Sequence, residues 1–295
     1  REENLQVIPE TIEALSAADI QKLGITHFED IVRAMPTVSY ESIGPTDQMF
    51  YMRGVSDGSS ANASNISTTG YFLDDASTSY YGYIPDLHLY DIERIEVLDG
   101  PQGTLFGGSA MSGAIRVITN KPDVNTFSAG TDLDYGGIDH GGNSTTAEAF
   151  ANLPLVKGTT ALRLSAYDVH DGGYIDNVLA TRDWVNGVVS SNAPWARNDY
   201  NTEREYGGRA ALTQKIGDSW TAVLTANYQR QNTAGCWCQD PTRYGEREVA
   251  HFGPEGISDS FTDYDLNVQG YVGIGDLVFA STFWSYPYHY TTEYS

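Results

Sequence analysis

Two periods of apolar residues run along this chain, and the change between them falls near residue 122. In the first part, two stretches carry helical spacing. ALSAADIQKLG sets Ile20 and Leu23 on one side, with Ser16 as N-cap and Gly24 as terminator. THFEDIVRAM repeats the pattern with Phe28, Ile31, Val32 and Met35; Thr26 with Glu29 three residues on reads as a capping box, and Pro36 stops the helix. Short strands are expected at 37–40, 48–55, 69–74, 92–98 and 114–119, between loops rich in Ser, Gly, Asn and Tyr.

From about Phe127, strict alternation takes over. In SWTAVLTANYQRQ, Trp220, Ala222, Leu224, Ala226 and Tyr228 share one face, against Thr221, Val223, Thr225, Asn227 and Gln229. In TALRLSAYD, Leu162, Leu164 and Ala166 oppose Arg163, Ser165 and Tyr167. Strands are expected near 127–135, 144–153, 160–170, 203–215, 219–231, 261–273 and 277–290, the last without clean alternation. Tight turns at 155–158, 216–218 and 274–276 contrast with long polar links at about 172–201 and 232–260. Short turns at one end and long loops at the other is the outer-membrane barrel pattern. A soluble sandwich with its apolar face inward is the alternative.

Composition narrows the function classes. The chain carries 39 Asp and Glu against 17 Lys and Arg, a net charge of −22, which repels phosphate backbones and argues against nucleic acid as partner. With 40% hydrophobic and 12% aromatic residues it is too apolar for a solvated acidic tail. No run of apolar residues is long enough for a membrane-spanning helix. Arg1-Glu2-Glu3 reads as a processed or truncated start, and seven strands are too few to enclose a folded domain, so the C-terminus reads as incomplete too. Cys236 and Cys238, in GCWCQD, read as a local disulfide or a pair of exposed thiols, with metal binding as the other reading.

Residues 92–122, IERIEVLDGPQGTLFGGSAMSGAIRVITNKP, hold glycines at 100, 103, 107, 108 and 113. A phosphate loop fails here, because Ser109 stands where a Walker lysine is required. A dinucleotide fingerprint lacks its helix, and a nucleophile elbow lacks its last glycine. The six histidines are scattered, with no HExxH. No catalytic or metal residues, and no cofactor, are expected, and the chain is not read as an enzyme.

The stretch Asp91–Gly107, DIERIEVLDGPQGTLFG, followed by Gly113–Pro122, GAIRVITNKP, resembles the end of the plug domain of TonB-dependent outer-membrane receptors. Upstream, IEALSAADIQKLG, FEDIVRAMPTVSY, Met52-Arg53-Gly54-Val55 and GYFLDD at 70–75 resemble earlier parts of the same domain. The resemblance implies an α/β plug over 1–122, followed over 123–295 by the first antiparallel strands of a transmembrane barrel of about 22 strands. It implies active import of a nutrient across the bacterial outer membrane, powered by TonB through a box that normally lies before this segment. Outer-membrane lipid and a small-molecule or oligosaccharide substrate would be the other partners. A receptor with a mainly signalling role, and a soluble or surface tyrosine-rich β protein binding carbohydrate, are the rivals.

In that family, charged plug residues tie plug to barrel. Arg53, Arg94, Glu96 and Arg116 match or neighbour those positions, with plain internal plug pairing as the competing reading. Tyr80, Tyr81, Tyr83 and the loop beginning at Ser59 are candidates for substrate contact, or for packing the plug against the wall. Asp99 and Gly108 depart from the family, which usually has Arg or Lys at the first and often Arg at the second.

Overall fold

In the computed structural model, which describes residues 12–45, 47–56, 67–79, 84–103, 110–184 and 187–293, the first part of the chain folds around one small sheet. In chain order it comprises β1 (Ile12–Ser16), α1 (Ala17–Leu23), α2 (Phe28–Ala34), β2 (Val38–Gly44), β3 (Asp47–Met52), β4 (Thr69–Leu73), β5 (Ala76–Ser77), β6 (Ile92–Asp99) and β7 (Gly113–Thr119). The sheet order is β1-β6-β7-β4-β5, with β4 and β7 parallel. Strands β2 and β3 form a separate antiparallel hairpin. TGYFL in β4 is buried along its whole length, as a strand covered on both faces must be. Phe28, Ile31, Phe50, Met52, Tyr71, Ile95, Val97 and Ile115 fill the core, each 2% exposed or less.

Local signals set the helix ends, with one correction. Ser16 caps α1 and Gly24 ends it, as expected, and the residues leading to the cap pair with β6 as β1. The cap of α2 sits one residue later than the Thr26–Glu29 reading. His27 is the N-cap, and the Asp30 carboxylate accepts from the backbone N–H groups of both Thr26 (3.1 Å) and His27 (3.2 Å). A shorter acidic side chain at the third helical position does what Glu29 was expected to do.

The long strands of the second part form one antiparallel sheet. Its long strands are β8 (Ser128–Gly137), β9 (Asn143–Val156), β10 (Thr160–Asp171), then β14 (Glu203–Ile216), β15 (Trp220–Thr233), β17 (Gly256–Tyr271) and β18 (Asp276–Ser285). Short pieces β11 (Asp176–Asn177), β12 (Thr181–Asp183), β13 (Val189–Ser191) and β16 (Glu248–Val249) structure the long links. The seventh expected strand divides into β18 and β19 (Tyr288–Thr291), both paired to β17. Pro287 interrupts it, since proline has no N–H for the ladder. The sheet order is β18-β17-β15-β14-β10-β9-β8, and among the described residues it does not close into a ring.

Burial across this sheet is inverted relative to a soluble protein. Leu133, Leu164, Leu224, Tyr264, Leu266, Phe279 and Phe283 are exposed, while Arg163, Glu205, Arg209, Thr225, Gln229, Asp263 and Asp265 are buried. Apolar residues outside and polar residues inside is the arrangement of a membrane barrel wall, and it removes the soluble-sandwich reading. The plug sheet lies against the polar face.

Gly113 opens β7 at φ +153°, where a Cβ would meet Met52 Sδ at 2.3 Å and the Leu98 carbonyl at 2.4 Å. Gly113→Ala should therefore destabilise the plug by about 1–3 kcal/mol from backbone strain alone, more with the clash. Hydrogen exchange of β6 and β7 in the full receptor reads this as lost protection. Unchanged protection would disprove the close-approach role of this glycine.

Candidate functional site

The strongest tie between the two parts is one carboxylate. Asp91 stands just before β6 in a left-handed conformation, φ +56°, which a non-glycine residue holds only when its surroundings over-determine it. Arg163 of β10 donates to it twice, Nε to Oδ2 at 2.8 Å and Nη2 to Oδ1 at 2.5 Å. Arg209 of β14 donates through Nη2 to Oδ2 at 2.5 Å and to the Asp91 carbonyl at 3.0 Å. The Asn120 amide adds a bond to Oδ1 at 2.9 Å. The side chains of Asp91, Arg163 and Arg209 are 1%, 10% and 7% exposed, so the triad is sealed from water. The Arg163 guanidinium also lies 4.6 Å from the centre of the Phe150 ring.

The charged residues expected from the sequence fall elsewhere. Arg94 Nε donates to Glu96 (2.8 Å), whose second oxygen accepts from Arg116 Nη1 (2.8 Å), and Arg116 approaches Asp75 at 3.5 Å. These residues form a row across β6 and β7. At the end of that row, Asp75 accepts from Asn267 Nδ2 of β17 at 2.6 Å. Arg53 is separate and pairs with the buried Asp99 at 3.3 Å. The departure at Asp99 thus meets a plug arginine. Ser59, Tyr80, Tyr81 and Tyr83 lie outside the described residues.

A second polar contact joins plug and wall. His27 Nε2 lies 3.1 Å from Glu205 Oε2 of β14, and His88 Nδ1 lies 3.4 Å from the same oxygen. His88 Nε2 is held by Glu148 of β9, and its backbone N–H donates to Gln229 Oε1 of β15 at 3.0 Å. Burial opposes charge on both imidazoles. For His27 the bond to Glu205, and for His88 the bond to Glu148 with the Glu205 carboxylate close by, outweigh it and hold them above the ordinary histidine value. Burial pushes the nearby Asp86 carboxyl up, with His27 opposing.

The first part of the chain matches a known domain family. Residues 4–114 match the TonB-dependent Receptor Plug Domain family. Those residues are a TonB-dependent receptor plug. The pesticin receptor of Yersinia pestis is 30% identical over 115 residues, covering 37% of this chain and 16% of its own length. The iron-regulated outer membrane virulence protein of Vibrio cholerae is 27% identical over 312 residues, covering 94% and 43%. Among solved structures, the ferric yersiniabactin uptake receptor of Yersinia pestis matches with a TM-score of 0.73 at 18% identity, over 96% of this chain and 42% of that one. The chain spans less than half the length of these relatives.

In this TonB-dependent receptor fold the long links of the wall gather at the ends of β10, β14, β15 and β17. There Cys236 and Cys238 form a disulfide, which settles the reading left open by the sequence. His251 lies 3.9 Å from each sulfur and 2.5 Å from Glu255, whose carboxyl also binds the Tyr200 hydroxyl. Burial opposes ionisation of Glu255, but the bonds from His251 and Tyr200 hold it below the usual carboxylate range. A cavity of about 210 Å³ opens beside the disulfide, lined by Trp237, His251 and Tyr290 and by Gly44 of the plug hairpin. A larger one of about 500 Å³ is lined by His27, Tyr40, Asp86, Tyr174, Glu203 and Trp237.

The two classes of ion pair should respond differently to mutation. Asp91→Asn keeps the shape but leaves two buried guanidinium groups without a carboxylate, a loss of about 3–5 kcal/mol. Arg94→Ala, in a partly exposed row, should lose about 1 kcal/mol or less. Chemical denaturation of the full receptor, followed at a probe in the plug, compares the two; equal effects would remove Asp91 from its place as principal anchor.

Proposed function

We propose that this chain supplies the plug and first wall strands of a receptor that actively imports a scarce nutrient across the bacterial outer membrane, driven by TonB. The observation that carries this reading is a folded domain fixed to the polar face of a membrane wall through Asp91, Arg163 and Arg209. A domain so seated obstructs passive flow, so passage requires that it be moved or remodelled. Residues 1–122 form the plug and 123–295 the wall. The protein performs no covalent chemistry of its own.

The row of Arg94, Glu96 and Arg116, and the Arg53–Asp99 pair, are the contacts we assign to remodelling. Each of these contacts has at least one partly exposed partner, so they can exchange partners as the plug shifts. Substrate meets the aromatic and acidic lining near Trp237, Tyr40 and Tyr174, where rings can stack and hydroxyls can donate. By name, the matching Yersinia pestis structure is an uptake receptor for ferric yersiniabactin, and a relative from Vibrio vulnificus, 24% identical over 215 residues, is a vitamin B12 transporter, which makes ferric siderophores and cobalamin the first compounds to try.

Asp75 and Asn267 meet across the plug and wall, so Asp75→Cys with Asn267→Cys offers a tether. In cells expressing the full receptor, a short thiol cross-linker joining these cysteines should abolish TonB-dependent accumulation of the labelled nutrient while leaving surface binding intact. Each single variant should transport normally. Undiminished uptake in the cross-linked receptor, or uptake that persists without TonB, would reject a plug moved by TonB.

A further inference from the structure

The contact between His27, His88 and Glu205 has features that an ordinary interface pair does not need. Three ligand-capable atoms converge within 4.8 Å of one another: His27 Nε2, His88 Nδ1 and a Glu205 oxygen. The distances from Glu205 Oε2 to the two nitrogens are 3.1 and 3.4 Å. Ligands bound at roughly 2.0–2.1 Å in a tetrahedral zinc site stand about 3.3 Å apart, so these two edges already have the required length. His88 Nδ1 and Glu205 Oε1 are buried without a hydrogen-bond partner among the described residues. The side chains of His88 and Glu205 are each 1% exposed, and such groups are normally satisfied.

The surroundings supply what a metal site needs beyond its ligands. His88 gives its other ring nitrogen, Nε2, to the Glu148 carboxylate, and His27 gives Nδ1 to the Thr26 hydroxyl at 3.0 Å. An imidazole whose far nitrogen is bound by a carboxylate or hydroxyl is fixed in orientation and made a better donor. The ligands are also spread to advantage. His27 caps α2, His88 lies in the plug segment before β6, and Glu205 belongs to wall strand β14. His27 borders the 500 Å³ cavity, which gives an ion a route to the site.

We propose that His27, His88 and Glu205 bind a divalent transition-metal ion of the Zn²⁺ type that clamps the plug to the barrel wall. Two imidazoles and one carboxylate favour such an ion over Mg²⁺ or Ca²⁺, which prefer all-oxygen sites. Each imidazole nitrogen that faces Glu205 must be free of its proton to bind the ion. The clamp differs in kind from the Asp91 triad, because a chelator or a competing ligand can remove it without unfolding either part.

The test uses the full receptor in detergent, stripped with chelator and titrated with Co²⁺. The expected result is one saturable Co²⁺ per receptor, with the absorption of a four- or five-coordinate nitrogen–oxygen site, displaced by Zn²⁺. His27→Gln and Glu205→Gln should abolish that signal. Glu148→Gln, which removes the carboxylate that holds His88 Nε2, should weaken the affinity about 10–100-fold. No saturable binding, or binding that both ligand variants retain unchanged, would overturn the site and place the metal on surface carboxylates. Should the variants fail to give the heat-dependent gel shift of a folded barrel, X-ray absorption of the unmodified zinc form decides. Two imidazoles in the coordination shell support the clamp, and a shell of oxygen alone refutes it.

Discussion

Everything about the relation of plug to wall depends on Asp91 and the two arginines that close on it. A carboxylate in this position has no water to fall back on, and neither guanidinium has another carboxylate within the contacts described. Removing any one member leaves buried charge uncompensated, so the triad works as a unit. It also fixes the register of the plug, since Asp91 sits at the turn into β6, the strand against which β1 and β7 both align. The left-handed backbone there is held by three donors from outside the strand.

The rest of the interface is of another character. Gln229, Tyr167, Glu203 and Gln231 line the wall with groups that can hydrogen-bond equally well to the plug or to water. A polar interface permits exchange, with firm attachment confined to Asp91 and the histidine cluster. Firm points and exchangeable ground between them are what a movable obstruction requires.

Much of this was legible in the sequence. The wall strands stood out because alternation of period two is a local property, visible without knowing what each face meets. Which face met lipid was not local, and the burial of Arg163 and Arg209 against the exposure of Leu164 and Leu224 decided it. The plug was legible through the motif from Asp91 to Gly107, yet its most important residue was passed over. The resemblance pointed to Arg94 and Glu96 of β6 and Arg116 of β7, which match or neighbour charged plug positions of that family. Asp91 opens the same motif, but its partners are 72 and 118 residues away. Lone arginines on otherwise uncharged inward faces, such as Arg163 beside Ser165 and Tyr167, were the available signal. The histidine cluster had no signal at all, since Glu205 lies 178 residues from His27.

Strand β1 carries a mechanical consequence. It is a five-residue edge strand, bonded on one side only among the described residues, with Ile12 opposite Leu98 and Ser16 opposite Arg94. Tension arriving along the chain from upstream loads the Ile12 end first. It can part the ladder one residue at a time while the rungs behind stay made, as a zipper opens rather than as a bolt shears. Peeling would proceed toward Arg94, the residue that begins the partly exposed charged row, and so toward the sealed carboxylate just before β6. The fold therefore has a soft seam where a tug would enter and a rivet where it should stop.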